Sequence, residues 1–284
     1  MRRPKIGLFV LPLWLLVTLA FAVNIKGETI KAGLVNADGK HPDMVYIPPG
    51  EFNMGSDDAE IDYVLKKLGG IRAIYQDEKP RGQIYMDGFW MDIYEVTNEA
   101  YEKFVKATDH LPPAHWKDGS SPSDRGRYPV VNVSWYDALE YCRWAGKRLP
   151  TEAQWEKAAR GPNGYRFAYG DDFDERKANV WEVAVWESSE WDEIVDASKP
   201  VGSYQPNGYG LYDMTGNVWE WTSSFYGSYP YRVDREHIDA GFGRRVLRGG
   251  SWYNLRFDTR TATRSITLPE VKRINIGFRC AQDG

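Results

Sequence analysis

PVVNVSWYDALEYCRWAGKRLPTEAQWEKAARG occupies residues 129–161, and its punctuation marks two helices. Ser134 precedes WYDALEYCRWAG with Asp137 three residues on, an arrangement that caps a helix start. Ala138, Tyr141, Cys142 and Ala145 recur at i, i+3, i+4 and i+7, and Gly146 supplies the stop. Cys142 is thereby placed on the inward face. Thr151-Glu152-Ala153-Gln154 is a capping box, and the helix it opens ends at Gly161.

Upstream, MVYIPPGEFNMGS (44–56) reads as two short strands about a Pro-Pro-Gly turn, and Asp57 to Leu68 has helical spacing before Gly69-Gly70. Residues 84–96 alternate around Asp87-Gly88, which predicts a hairpin. Thr97 caps NEAYEKFVKAT, with Tyr101, Phe104 and Val105 on one side. Downstream of residue 165 little is helical, and aromatic pieces alternate with Gly, Asn, Asp and Pro. No internal repeat or composition break divides the chain after residue 44. The expectation is an α+β fold: one compact domain over 44–284 with little regular secondary structure, preceded by a segment at 1–22 and a polar linker at 23–43.

The first segment is of a different kind. Arg2, Arg3 and Lys5 precede an uncharged run from Ile6 to Val23, and Ala20-Phe21-Ala22 fits a signal-peptidase site. The run is also about long enough to span a membrane, which takes roughly 17–25 residues. A cleaved signal peptide predicts a periplasmic or secreted protein, and an uncleaved one a membrane-anchored protein. Its loss removes three positive charges and no acid, moving the net charge from -4 to -7. That balance excludes a nucleic-acid footprint, which needs positive excess.

Yet nine Lys/Arg and only two acids, Asp258 and Glu270, lie between Arg244 and Arg279. Either these cations pair with acids elsewhere in the domain, or they line a cleft for an anionic ligand. The two cysteines of the chain, Cys142 and Cys280, are even in number. In an exported protein that suits a bridge, against the alternative of two buried thiols.

The common catalytic motifs are missing: no G-x-S-x-G, H-E-x-x-H, P-loop or dinucleotide fingerprint. His41, His110, His115 and His237 are scattered. Oxygen donors are more concentrated. GLYDMTGNVWEW (210–221) gathers Asp213, Asn217 and Glu220 around Gly216, a composition suited to calcium, which takes about six to eight oxygens. It equally suits turn caps or acids paired with arginines. WEVAVWESSEWDEIVDA (181–197) is a second acidic stretch.

Taken in order, VYIPPGEFNMGS (45–56), EVTNEAY (95–101), the 129–161 segment, PNGYGLYDMTGNVWEWTSS (206–224), RVLRGGSW (245–252) and IGFRCA (276–281) resemble the formylglycine-generating enzyme, or sulfatase-modifying factor, family over nearly the whole mature chain. The resemblance implies that family's fold, which is related to C-type-lectin-like folds, and a disulfide between Cys142 and Cys280. It implies calcium held by Asp213 and Glu220 side chains with Gly216 and Val218 carbonyls. A second calcium would map to Asn179 and Val180, with Asp192 or Glu193 opposite.

Aerobic members hold copper(I) on two cysteines after the Gly-Gly-Ser turn and oxidise a sulfatase cysteine. Here those positions fall at Asn254 and near Asp258 or Thr259. Ser251 matches the family's active-site serine, but Leu255 stands where a histidine is expected. Soft copper(I) selects thiolates, so oxygen donors argue against copper, and no transition-metal ligand set argues for iron.

Two readings follow. The first is a calcium-stabilised binding or accessory module that takes a protein or a small-molecule ligand, the latter anionic in the cleft reading, in a groove of Ser251, Trp252, Tyr253, Asn254, Arg256 and Asp258. Membrane contact arises in that reading only through an uncleaved N-terminus. The second is an exported metal-dependent oxidoreductase or maturation enzyme, since the resemblance extends to members implicated in siderophore maturation and to companions of sulfoxide-forming iron enzymes.

Overall fold

The computed structural model describes residues 40–181, 196–233 and 243–284. The expected 1–22 segment and most of the linker lie outside them. Among the described residues no helix is long and apolar enough to cross a membrane.

Strands β1 (Met44–Ile47) and β2 (Gly50–Met54) both form, as do β3 (Gly82–Met86) and β4 (Phe89–Asp92). Their pairing differs from the hairpin expected at Asp87-Gly88. β2 pairs with β3 and β1 with β4, both antiparallel, so the turn lies far away between β2 and β3. The registers Ile47↔Phe89 and Gly50↔Met86 set Pro48-Pro49 opposite Asp87-Gly88. Prolines have no N–H to donate, so the ladder breaks there in both chains at once. Asp-Gly serves the bend. Gly88 is also squeezed, since a Cβ on it would meet the Tyr46 hydroxyl.

Three more strands, β5 (Trp219–Phe225), β6 (Arg245–Arg248) and β7 (Arg264–Thr267), build a third, four-stranded sheet with the short β8 (Ile276–Gly277), in the order β7-β6-β5-β8. β9 (Ala281–Asp283) returns the C-terminus to β4.

The helices form where their caps predict them. Asp57, Thr97, Ser134 and Thr151 each accept from a backbone N–H in the first turn of α1 (Asp58–Lys67), α2 (Asn98–Thr108), α3 (Trp135–Trp144) and α4 (Glu152–Arg160), and the last two have complete capping boxes. α2 and α3 cover β5 with Tyr101, Phe104, Tyr141, Trp219 and Trp221. Cys142 and Cys280 lie in the same cluster and are joined by a disulfide.

α4 is unusual in burying all nine of its residues, charged ones included. This interior decides how the basic stretch is used. Arg248, Arg260, Arg264 and Arg279 are buried, and each meets a buried glutamate: Glu156, Glu78, Glu152 and Glu220 respectively. The internal-pairing expectation holds for these four arginines.

Candidate functional site

β6 ends at Arg248 and delivers the chain to Gly249 and Gly250, both at positive φ (98° and 75°). A Cβ on Gly250 would sit 2.5 Å from Thr259 Cγ2, so only glycine lets the loop fold back on itself. Trp252 is buried against Val131 and Val218, with its amide donating to the Asn217 carbonyl at 2.8 Å. Ser251 is fully buried. Its hydroxyl donates to Asn254 Oδ1 at 2.7 Å and accepts from Asn275 Nδ2 at 3.1 Å. The Asn254 amide returns to the Ser251 carbonyl at 2.9 Å, and the Asn254 carbonyl takes the Trp181 amide at 2.9 Å.

Of the six groove candidates, Ser251 and Trp252 are therefore the floor and Asn254 is a clasp. Tyr253 (47% exposed) and Leu255 (40%) face outward, Tyr253 standing edge-on to Trp181 and Trp252. A single helical turn, Arg256–Asp258, follows, with Arg256 over the Phe173 ring. Phe257 packs against Ile61, Val64 and Tyr75, which ties the groove to α1. Thr259 is buried, its hydroxyl closed on the Arg256 carbonyl at 3.0 Å.

The oxygen donors sort differently from the expectation. Glu220 accepts from Arg279 through both oxygens at 2.8 Å and from the Trp155 indole at 2.8 Å. Its charge is already met, and it does not fit a calcium ligand. Asp213, at φ 58°, accepts from the Gly202 amide at 2.7 Å through one oxygen, and its other oxygen has no hydrogen-bond partner among the described residues.

Asn179 and Gly216 form a parallel bridge, so close that a Cβ on Gly216 would lie 2.2 Å from the Asn179 carbonyl oxygen. The structure thus brings Asn179 and Val180 beside Gly216, Asn217 and Val218, while Asp192 and Glu193 lie outside the described residues. Asn179 Oδ1 is buried with no hydrogen-bond partner among the described residues, while its Nδ2 donates to Ala197 O and Asn217 Oδ1. An orphaned amide oxygen beside a tight turn is a position that a hard cation would satisfy. The orphaned Asn179 oxygen suits a hard cation, whereas both Glu220 oxygens are already engaged by Arg279 and Trp155.

Glu95 was missed by the sequence reading, although it opens the quoted EVTNEAY. It accepts from Asn217 Nδ2 at 2.6 Å and the Val218 amide at 3.3 Å, and so holds the 213–218 turn from beneath. Burial raises its pKa well above the usual carboxylate range, and the Asp213 and Glu220 charges add to this. Asp213 is pushed up to about 6, again by burial first. Three buried carboxylates share Arg279, so this pocket keeps an excess of negative charge.

The family model for the Sulfatase-modifying factor enzyme 1-like domain matches residues 31–284. A formylglycine-generating enzyme of Mus musculus is 35% identical over 294 residues, covering 84% of this chain and 75% of its own. The chain belongs to the sulfatase-modifying factor family. An inactive C-alpha-formylglycine-generating enzyme 2 of Mus musculus is 31% identical over 287 residues, covering 84% and 85%. The structure of PvdO from Pseudomonas aeruginosa superposes with a TM-score of 0.65 at 24% identity, covering 85% of this chain and 94% of that one, and shows the shared fold. Within the sulfatase-modifying factor fold, this chain has both of its cysteines in one disulfide, and no thiol remains for the groove.

Proposed function

We propose that this family member does not generate formylglycine and works as an exported, calcium-stabilised binding or accessory module whose contact surface is the 251–258 loop. One observation carries the reading: the chain has no free thiol, and the serine hydroxyl that would stand beside one is closed on Asn254. Soft copper(I) has no ligand of its own kind here. The match to a relative named as inactive supports the same view. Tyr253 and Leu255 offer an aromatic and an aliphatic contact beside Arg256, a combination that binding hot spots favour. That surface suits a protein segment or small molecule with an apolar group.

Calcium at Asn179 Oδ1 and the Val180 carbonyl would fix the 179–181 segment, whose Trp181 amide clasps Asn254. The disulfide and the leader-like first residues support export. The test is elemental analysis of the purified protein, followed by incubation with copper(I), oxygen and a cysteine-containing sulfatase peptide. Calcium with an unchanged peptide is the expected result. Conversion of the cysteine to formylglycine, or stoichiometric copper or iron lost on Asn254→Ala, would return the chain to the oxidases.

A further inference from the structure

A second concave site lies at the C-terminal end of α4, on residues that the groove does not use. It encloses about 320 Å3 between Phe52 and Asn53 of β2, Lys157 and Arg160 of α4, the 161–164 turn and Tyr209. Its floor is buried and cationic, with Lys157 and Arg160 each 4% exposed. Lys157 Nζ donates to the Pro48 and Gly50 carbonyls at 2.8 and 2.9 Å and has no carboxylate within ion-pair distance among the described residues. An ammonium has a third donor, and here it is unused. Arg160 spends Nε on Glu156 and Nη2 on the Gly55 carbonyl, leaving Nη1 without a described partner. The hydroxyl of the buried Tyr209 likewise bonds to no described residue.

Charge points the same way. Glu156 serves Arg160 and Arg248 together, and Glu152 is taken by Arg264. Lys157 thus forms no ion pair with a described carboxylate, and burial draws its pKa below the ordinary lysine value, which the charge of Asp87 only partly offsets. Buried charge without a partner is costly, so a cavity at that point is suited to an anion. A purely structural role, tying down the Pro48–Gly50 bend, accounts for two of the ammonium donors. It leaves the third, Arg160 Nη1 and the Tyr209 hydroxyl unexplained. Glu51 is the one acid lining the cavity, and it is exposed, as are Asn53, Pro162 and Asn163.

We propose that this cavity binds a small ligand through a tetrahedral oxyanion head group, a phosphate or sulfate ester, held by Lys157, Arg160 and Tyr209. A tetrahedral phosphate or sulfate presents three or more oxygens in different directions, so donors on three separate side chains can each meet an oxygen of their own, whereas a planar carboxylate would have to share two oxygens among them. The exposed Asn53 and Asn163 would meet the remainder of the molecule.

Calorimetric titration of the full mature protein with inorganic phosphate, sulfate, glycerol phosphate and acetate, at matched ionic strength, tests this. Saturable binding of phosphate or sulfate is expected, weakened about tenfold or more by Lys157→Met, the scale of one charged hydrogen bond. Tyr209→Phe keeps the shape of the wall and should weaken binding several-fold without lowering the melting temperature of the ligand-free protein. That variant decides the matter if Lys157→Met does not fold. Tighter binding of glycerol phosphate than of phosphate would assign an ester. No saturable binding at millimolar concentration, equal binding of acetate, or binding indifferent to Tyr209→Phe would each overturn the proposal.

Discussion

One stretch of sequence, Arg244 to Arg279, builds two regions that obey opposite rules. In the interior its arginines are fully desolvated and each faces a glutamate from an element distant in sequence: α4, β5 or the turn after α1. At the groove the same stretch turns outward as Tyr253 and Leu255, held by the Ser251–Asn254 clasp and one bond from Trp181. The difference shows what each region tolerates. A buried ion pair adds little net stability over a well-packed apolar pair, but losing one partner strands the other. The interior is thereby locked against single changes, while the outward lip of Tyr253 and Leu255, anchored through its neighbours Ser251, Trp252 and Phe257, is open to them.

The sharpest way to break this contrast is Glu156→Gln. Burial alone would raise the Glu156 pKa, yet Arg160 and Arg248 more than offset it and hold the carboxyl below the ordinary range. Neutralising it leaves two buried guanidiniums sharing an amide, and the loss expected in urea unfolding is about 3–5 kcal/mol. A loss below about 1 kcal/mol would mean that the interior pairs are as replaceable as surface ones.

Much of this was legible beforehand, and the reasons are local. Caps at Thr97, Ser134 and Thr151 act within four residues, so their helices could be read from spacing. Cys142 on the inward face followed from the same period. Strand partners were not legible, because Asp87-Gly88 is a hairpin signal only if nothing opposes it, and Pro48-Pro49 opposes it from forty residues away. The groove residues were placed by the family's Gly-Gly-Ser turn, but Ser251 bonds to Asn275 and its clasp Asn254 to Trp181, partners which no short motif contains. Glu220 carries the same chemistry whether it meets calcium or Arg279, and only the fold chooses.

The interior's matching of glutamates to arginines fails at Glu95 and Asp213, and that failure gives a pH signature. Asp213 titrates near 6 when folded against 3.8 for the free group. A raised folded pKa means that the folded state holds the proton more tightly. Its contribution is complete below pH 3.8 and is lost as pH rises through about 6. In chelator, stability should therefore fall by about 1.4 kcal/mol between pH 5 and pH 7.5, and by about 3 kcal/mol over the whole window from below pH 3.8, and Asp213→Asn should flatten the curve. Calcium added at pH 7.5 should restore part of the loss, because a cation offsets the excess negative charge. A flat profile with or without calcium would place the buried carboxylates on equal terms with those paired to arginine.

The smallest stability effect belongs to the lip. Tyr253 and Leu255 make their contacts at the surface, and the Tyr253 hydroxyl bonds to no described core residue. Tyr253→Ala with Leu255→Ser should change the unfolding free energy by about 0.5 kcal/mol or less, the range of surface substitutions. The same pair should abolish capture of the natural partner, since exposed aromatic anchors cost about 2 kcal/mol or more when truncated at an interface. Asn254→Ala sharpens the division between the two roles. It removes the acceptor of the Ser251 hydroxyl and loosens the loop, so it should cost about 1 kcal/mol of stability and weaken binding indirectly. If the double change at Tyr253 and Leu255 were instead as destabilising as Glu156→Gln, those side chains would belong to the core and the contact surface would have to be sought elsewhere.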